Sequence, residues 1–436
     1  MGHGRHQRKA RWLYRCAHQS RHGGRRRLEG RGRWPDPARR AVVAGVQHLF
    51  ASREHGCRNR VIPILPGPRN ALRDAGGGRA TPTLPVRQPQ GTAEMNIATP
   101  LNTVDFDAVD RITCTDLTSV VRKIDDEKYY PEPVMRAMGG AGAYGTHLAG
   151  VDAPCDLGPA ILSMARASEA CLSTGFCIWC QDALGWYISS SDNDWLKDNI
   201  LPKVATGEIL GGTGMSNPMK AIAEIEKLKL KGTRVEGGYM VKGVLPWVSN
   251  LSEDGWFGVM FDAGDKTVMA IAHADEAKGV KLRLDHDFVA MGGTATCQVM
   301  FRDVFIPDEQ VIGDPAPAFI KRIRGGFVLL QCGMAAGMIK SSIDLIRKME
   351  GPLGHVNQYL EKGADDLEAE YDALVADVLE MSKTPYDLSD AFWKRVLQAR
   401  LKGGELAVEA AHYAMLHCGA RGYVSGGDAQ RRLREA

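Results

Sequence analysis

The 436-residue chain lacks a long apolar run, and it lacks the residue spacings of a metal site. No stretch of about 18 apolar residues occurs, and no continuous apolar segment follows the charged start as in a secretory signal. Cys177 and Cys180 have the spacing of a redox pair, but they lie inside a helical pattern and have no second pair. These absences predict a cytoplasmic protein without a membrane partner and without a bound metal.

The first 94 residues are poor in lysine and in acidic residues. They hold 19 Arg and one Lys against five acids, a net charge of +15, whereas the remaining 342 residues carry a net charge of −12. Scattered Gly and Pro with few apolar residues do not build a core, so we expect a disordered Arg-rich leader. It is a basic arm for nucleic acid, an organelle-targeting segment, or upstream sequence translated ahead of an internal start at Met95. The third interpretation is favoured because the composition changes at Met95, and it predicts no nucleic-acid partner.

The rest of the chain is organised around residues 211–250. A loop of small residues runs to Pro218, and two short strands follow, joined where the two glycines at 237–238 supply the positive φ angles of a tight hairpin. The stretch ends with Trp247 and Ser249. A flat, polar-edged heteroaromatic ligand fits such a place, with the indole over a ring face and the hydroxyls of Ser216 and Ser249 at the rim. The alternative is a core tryptophan beside two turn serines.

The hydrophobic periodicity changes twice along the chain. It is helical over residues 95–208, has period two over 209–315, and is helical again over 316–436. This predicts an α+β protein with an N-terminal α-helical domain, a central β domain and a C-terminal α-helical domain of the four-helix-bundle type. The order argues against a doubly wound sheet and a Rossmann cofactor domain.

Several local patterns have competing interpretations. A long apolar helical region spans 157–188, and its three large aromatic residues, Trp179, Trp186 and Tyr187, are predicted to lie in the core. Residues 140–145 match G-x-G-x-x-G, but they follow a helix, so they predict a helix end and a turn. The cluster Asp285-His286-Asp287 between two strands is a solvated turn or, less favoured, a metal or acid/base site.

From about Tyr130 to the last residue, the chain resembles the acyl-CoA dehydrogenase-like flavoproteins. No single motif is decisive, but five occur in order on the α–β–α frame. They are Tyr-Pro-Glu-Pro-Val-Met-Arg-Ala-Met-Gly (130–139), Gly-Met-Ser-Asn-Pro (214–218), Gly-Val-Leu-Pro-Trp-Val-Ser-Asn (243–250), Met-Gly-Gly-Thr-Ala-Thr with Phe-Arg-Asp-Val-Phe-Ile-Pro (291–307), and Gly-Tyr with Arg-Arg-Leu-Arg-Glu-Ala (422–436).

The resemblance implies a flavin between the β domain and the C-terminal helices, usually FAD, with FMN as the alternative. Met215 and Ser216 match the family's loop at the flavin edge. Trp247, Val248 and Ser249 match its aromatic-x-hydroxyl element, in which the ring covers the isoalloxazine and the hydroxyl bonds near the reactive nitrogen. The resemblance also implies a homodimer or homotetramer, and an electron-transfer flavoprotein or oxygen as the electron acceptor.

The implied activity is removal of the α,β hydrogens of an acyl-CoA or related thioester, in which a carboxylate takes the α-proton. That base is unassigned here: the family's usual position would lie beyond Ala436, which predicts an incomplete C-terminal bundle, and the alternative position corresponds to Phe327. Met219 and its neighbours also replace the family's Gly-x-Gly-Ser-Asp. A flavin-dependent oxidase or monooxygenase therefore stays open as an alternative, and so does a non-catalytic protein that acts through the basic arm.

Overall fold

The computed structural model describes residues 103–284 and 286–436, so the predictions for the leader 1–94, for the start at Met95 and for Asp285 lie outside the described residues. Before the sheet, the chain is helical as predicted. A π-helical segment, Ile112–Leu117, joins the first two helices. The helices of this part are α1 Phe106–Arg111, α2 Thr118–Glu127, α3 Glu132–Gly140, α4 Gly158–Ala170, α5 Leu172–Ser189, α6 Asp194–Asn199 and α7 Leu201–Ala205.

The predicted single helical region of residues 157–188 is two helices. Cys171 between α4 and α5 has an extended backbone, with φ −155° and ψ 115°. Both helices are buried on nearly every side, so the apolar pattern continues across the junction and carries no mark of the break. The three aromatic side chains of α5 that we predicted to be in the core are buried, and α3 ends at Gly140 before a turn in which Gly142 has φ +79°.

A mixed sheet follows, with strand order β6-β7-β3-β2-β4-β5-β8 and with β1 paired to β4. Most neighbours are antiparallel, while β1 and β2 each run parallel to β4. Its core is a cluster of buried aliphatic and aromatic side chains from several strands. The strands are β1 Gly211–Thr213, β2 Leu230–Val235, β3 Gly238–Val248, β4 Trp256–Asp262, β5 Thr267–His273, β6 Val280–Arg283, β7 Cys297–Pro307 and β8 Val311–Gly313.

Two details of the central stretch differ from the prediction. The loop predicted up to Pro218 is instead strand β1 followed by a short helix, α8, at Ser216–Ile222. In the hairpin, Gly237 alone has a positive φ, of 74°, because Gly238 already belongs to β3 and pairs with Val235. Gly238 is required for a different reason: a Cβ there would lie 2.3 Å from the carbonyl oxygen of Ile306 on β7.

The chain after the sheet is helical, as predicted. The first helix is long and apolar enough to cross a membrane, yet 72% of its most apolar window is buried in the fold, as in a core helix. Gly326 on it lets Trp186 approach, since a Cβ there would lie 2.4 Å from the indole. The helices are α9 Ala316–Asn357, α10 Ala364–Met381, α11 Asp390–Cys418 and α12 Asp428–Glu435.

Candidate functional site

The predicted site elements meet at one end of the sheet. Thr213, the last residue of β1, forms an isolated antiparallel bridge with Ser249, just past the end of β3. The two segments are so close that a Cβ at Gly212 would lie 2.1 Å from the carbonyl oxygen of Ser249. The small residues of this stretch are therefore needed for close backbone contact, which brings the Met215–Ser216 segment beside the Trp247–Ser249 segment.

Trp247 is not a core residue, so that alternative is wrong. Its side chain is 48% exposed. The centre of its ring system lies 4.3 Å from the His286 ring and 5.6 Å from the Phe288 ring. Val248 projects to the other side of the strand, into the buried core cluster of the sheet. An accessible indole at the end of β3 offers a flat apolar surface to a ring-shaped ligand, whereas Val248 has only its backbone to offer.

Ser249 is nearly buried, and its hydroxyl begins a chain of three hydroxyls. It lies 2.6 Å from the Thr296 hydroxyl, which lies 2.7 Å from the Thr294 hydroxyl. The Thr294 hydroxyl donates to the Met291 carbonyl oxygen at 2.8 Å. Because each hydroxyl has one proton, this order makes Thr296 a donor to Thr294 and Ser249 a donor to Thr296. The Ser249 oxygen then keeps both lone pairs as acceptors, and an N–H group can donate to it.

Asn250 ties three segments together at the base of this site. Its amide donates to the Gly211 carbonyl oxygen at 2.7 Å and accepts from the Tyr130 hydroxyl at 2.6 Å, while its backbone N–H donates to Thr294 at 2.8 Å. Its backbone is left-handed, with φ 57°, a conformation that asparagine tolerates better than most residues. Burial raises the pKa of the Tyr130 phenol, which therefore stays a donor at neutral pH. Sequence reasoning placed Tyr130 and Asn250 in two separate motifs and missed the hydrogen bond between them, since these residues lie 120 positions apart.

Met215 is buried, whereas Ser216 is exposed as the first residue of α8. Met215 also lines a small cavity between α5, α8 and α9. The other described lining residues are apolar or aromatic except for one cation: Tyr187, Met219, Ile320, Ile323, Arg324 and Phe327. The Tyr187 hydroxyl lies 2.8 Å from that of Thr213, which links the cavity wall to β1. At about 10 Å³, the cavity has room for about one water molecule.

Of the sequence cluster at residues 285–287, the two described members, His286 and Asp287, have different surroundings. The Asp287 carboxylate is 92% exposed and pairs with the Lys128 ammonium at 2.7 Å, which holds the pKa of Asp287 below its usual value. Its neighbour His286 lies beside Trp247 instead. Among the described residues, no group of three or more His, Cys, Asp or Glu side chains is placed to hold a metal ion.

A second polar feature lies away from this end of the sheet, inside the N-terminal helices. His147 and Asp182 have fully buried side chains, with Nε2 of His147 lying 3.0 Å from the backbone carbonyl of Asp182 and 3.9 Å from its Oδ1. Neither carboxylate oxygen of Asp182 has a hydrogen-bond partner in the described part of the chain. Burial lowers the pKa of His147 to about 4 and raises that of Asp182 well above its ordinary value, so burial favours the neutral form of each group. No pattern in the sequence indicates this pair.

Comparison with known proteins agrees with this architecture. Residues 106–208 match the family model "Acyl-CoA dehydrogenase, N-terminal domain". A mitochondrial 2-methylacyl-CoA dehydrogenase of Solanum tuberosum is 26% identical over 55% of this chain, and the chain spans 61% of its length. The human mitochondrial short-chain specific acyl-CoA dehydrogenase is 24% identical, over 74% of this chain and 83% of that protein.

Solved structures show the same fold. A glutaryl-CoA dehydrogenase from Mycobacterium smegmatis, in complex with FADH2, superposes with a TM-score of 0.63 at 16% identity, covering 76% of this chain and 87% of that protein. 

An acyl-CoA dehydrogenase from Geobacillus kaustophilus superposes with a TM-score of 0.62 at 16% identity, covering 76% of this chain and 90% of that protein. At these identities, the superpositions establish the fold alone.

The family-model match, the relatives and the shared fold agree with the motifs quoted above. Residues 106–208 are therefore an acyl-CoA dehydrogenase N-terminal domain by the family model, and the chain is similar to acyl-CoA dehydrogenases in sequence and shares their fold.

Proposed function

We propose that this protein is an FAD-dependent dehydrogenase that removes the α,β hydrogens of an acyl-CoA or related thioester. The observation that carries the proposal is the pairing of an accessible indole, Trp247, with the inward-donating hydroxyl of Ser249 at the end of β3. A flat ring with polar edges needs one apolar face and a few oriented polar groups, and this end of the sheet has both.

The residues present fit a flavin. Trp247 would cover a ring face, and Ser249 would accept from an N–H group at the ring edge. Met215 and Ser216 would lie along the other edge, while Val248 would contribute its backbone N–H. A bound flavin supplies the acceptor for the hydride that a dehydrogenation releases. FAD is favoured over FMN by the likeness to a glutaryl-CoA dehydrogenase solved with FADH2, and an electron-transfer flavoprotein is the proposed acceptor of the electrons.

The acyl chain would lie against the almost wholly apolar side chains around the cavity beside Met215, and these side chains would have to move apart because the cavity is only about 10 Å³. The same cavity supports a second candidate function. Taking an α-proton needs a base, and the described residues that line the cavity include no carboxylate. A flavin-dependent oxidase or monooxygenase needs no such base, so it is the alternative.

The first test is the visible absorption spectrum of the purified full chain with FAD, before and after anaerobic addition of acyl-CoAs of different chain lengths. Bleaching of the flavin band supports the dehydrogenase. A band that persists with acyl-CoA, together with oxygen consumption by the reduced protein, supports the oxidase or monooxygenase. Absence of flavin binding overturns both.

A matched pair of variants tests the assigned residues. Trp247→Ala removes the indole at the site, and we expect flavin affinity to fall by about tenfold or more, since ring stacking contributes on the order of 1–3 kcal/mol. Trp195→Ala removes a comparably exposed indole, 36% accessible, at the start of α6. Equal affinities for both variants would show that Trp247 is not the flavin contact.

A further inference from the structure

The apolar cavity beside Met215 is almost filled by the side chains around it. Its volume is about 10 Å³, whereas pockets that enclose small-molecule ligands have volumes of roughly 300–1,000 Å³. An acyl chain therefore enters only as far as the lining side chains can move. Which of them can move decides how many carbon atoms the site takes.

Phe327 is a firmly held part of this lining. It lies on α9, and its side chain is 6% exposed. The centre of its ring lies 5.3 Å from that of Trp179 and 5.9 Å from that of Tyr187, both on α5. The Tyr187 hydroxyl lies 2.8 Å from that of Thr213, so the neighbouring ring is held as well. Three aromatic rings in contact thus fill the space between α5 and α9.

Two indole N–H groups of α5 hold α9 in place. The Trp186 indole donates to the Ile323 carbonyl oxygen at 2.9 Å, and the Trp179 indole donates to that of Phe327 at 3.5 Å. Gly326 lies between these two acceptors in the chain, and its lack of a side chain lets the Trp186 ring contact the helix. Moving the helices apart would leave both donors buried without acceptors, which is unfavourable. Separation of α5 and α9 therefore does not make room for a chain.

The side of the cavity formed by α8 is adaptable. Met215 and Met219 line it there. Methionine has a flexible, unbranched side chain, so it can pack in a new arrangement around a ligand. A chain that displaces these two side chains gains at most about their volume, which is room for a short acyl group and not for a long one.

We propose that Phe327, held by Trp179 and Tyr187, sets the upper limit of acyl-chain length, so that the thioesters this protein takes are short. Phe327 is a specificity-determining residue: its ring occupies the space that the outer carbon atoms of a longer chain need. The inference rests on the proposed function, since it names the substrate class of the same site.

The binding of 2-enoyl-CoA products to the full chain with FAD tests this limit, because product binding needs no redox step. In titration calorimetry, crotonyl-CoA should bind more tightly than CoA. The affinity for 2-dodecenoyl-CoA should lie about tenfold or more below that for crotonyl-CoA, because a long chain overfills the site. Equal affinities for the short and the long ester would overturn the inference and leave the proposed function intact. If neither ester binds more tightly than CoA, the proposed function fails and this inference with it.

Phe327→Ala tests the assigned residue. Removing the ring opens space between α5 and α9, so the affinity for 2-dodecenoyl-CoA should rise by about tenfold or more relative to that for crotonyl-CoA. Phe319→Ala is the matched control, because Phe319 lies on the same helix, is also 6% exposed, and packs beside Gly313 of β8 instead of lining the cavity. The same ratio of affinities in both variants would show that Phe327 does not set the limit.

Phe327→Leu keeps the test decisive if the alanine variant does not fold. Leucine fills part of the space of the ring, so the ratio of affinities should shift in the same direction by a smaller factor. Anaerobic bleaching of the flavin by butyryl-CoA and by dodecanoyl-CoA should follow the same order as binding in the wild-type protein and in each variant. A leucine variant that keeps the wild-type ratio would overturn the inference.

Discussion

Two clusters of buried polar groups in this protein differ in how they offset the free-energy cost of burial. Around Asn250, both side-chain polar groups have partners, at 2.6 and 2.7 Å. Between His147 and Asp182, the imidazole has one backbone partner and the carboxyl group has no hydrogen-bond partner among the described residues. Paired groups fix the positions of the segments that carry them, whereas an unpaired ionisable pair avoids the cost of burial by staying neutral.

The difference has consequences for stability. Breaking the Asn250 network should cost much the same at every pH near neutrality, because its members do not titrate there. The contribution of the His147 and Asp182 pair should change with pH, because each group has a different proton affinity in the unfolded chain.

The largest effect is expected for Asn250→Asp. The new carboxylate would face the Gly211 carbonyl oxygen, so a bond becomes a repulsion between two acceptors. We expect a loss of about 3–5 kcal/mol in the free energy of unfolding, measured by urea denaturation at pH 7. Asn250→Gly keeps the left-handed backbone and removes the amide, so it should cost only about 2 kcal/mol. Equal costs for the two variants would show that the backbone conformation, rather than the amide, matters here.

The pH dependence of His147 comes next. The folded pKa is about 4 and the unfolded value is 6.5, so the unfolded chain binds more protons between those pH values. Stability therefore falls as pH drops through this window. This difference in pKa corresponds to a loss of roughly 3 kcal/mol in the free energy of unfolding at pH 4. His147→Gln keeps an N–H donor but does not titrate. Between pH 7 and pH 4 the wild-type protein should therefore lose roughly 3 kcal/mol more of its unfolding free energy than the variant does. Parallel stability curves would contradict the buried neutral imidazole.

Tyr130→Phe should have a smaller effect. It removes one hydroxyl and leaves Asn250 Oδ1 buried without its donor, which we expect to cost about 1–2 kcal/mol in urea denaturation. Tyr129→Phe is the matched control, because the Tyr129 ring lies under the Lys123 ammonium and is part-exposed. A similar loss in both variants would indicate a general effect of removing a phenol.

These residues also show which parts of the structure can be predicted from the sequence. The hydrophobic period and the turn-forming residues are local features of the chain. The strands near Trp256 and Thr267 and the helix ending at Gly140 could therefore be predicted from neighbouring residues alone. The division at Cys171 could not, because helices buried on all sides have no polar face to mark a boundary. The exposure of Trp247 excludes the core alternative, and its role as a ligand contact stays a prediction.

The contacts that hold the site could not be predicted. Tyr130 and Asn250 both stand in recognised motifs, but nothing in either motif indicates that they bond to each other. The hydroxyl chain from Ser249 to Met291 depends on the left-handed residues Met291 and Ala295, and a left-handed alanine has no reliable sequence signal. Polar contacts between distant segments depend on the assembled fold, as the His147 and Asp182 pair also shows.

The smallest effect is expected for Ser249→Ala. The variant loses one contact, to a Thr296 hydroxyl that keeps its bond to Thr294, so no donor is left buried without an acceptor. We expect a loss of about 1 kcal/mol in urea denaturation, against little change for the exposed Ser252→Ala. A cost as large as that of Tyr130→Phe would mean that the hydroxyl chain belongs to the rigid Asn250 network. A small cost in stability with weakened flavin binding would instead assign the Ser249 hydroxyl to the ligand, because its outward lone pair does not contribute to the fold.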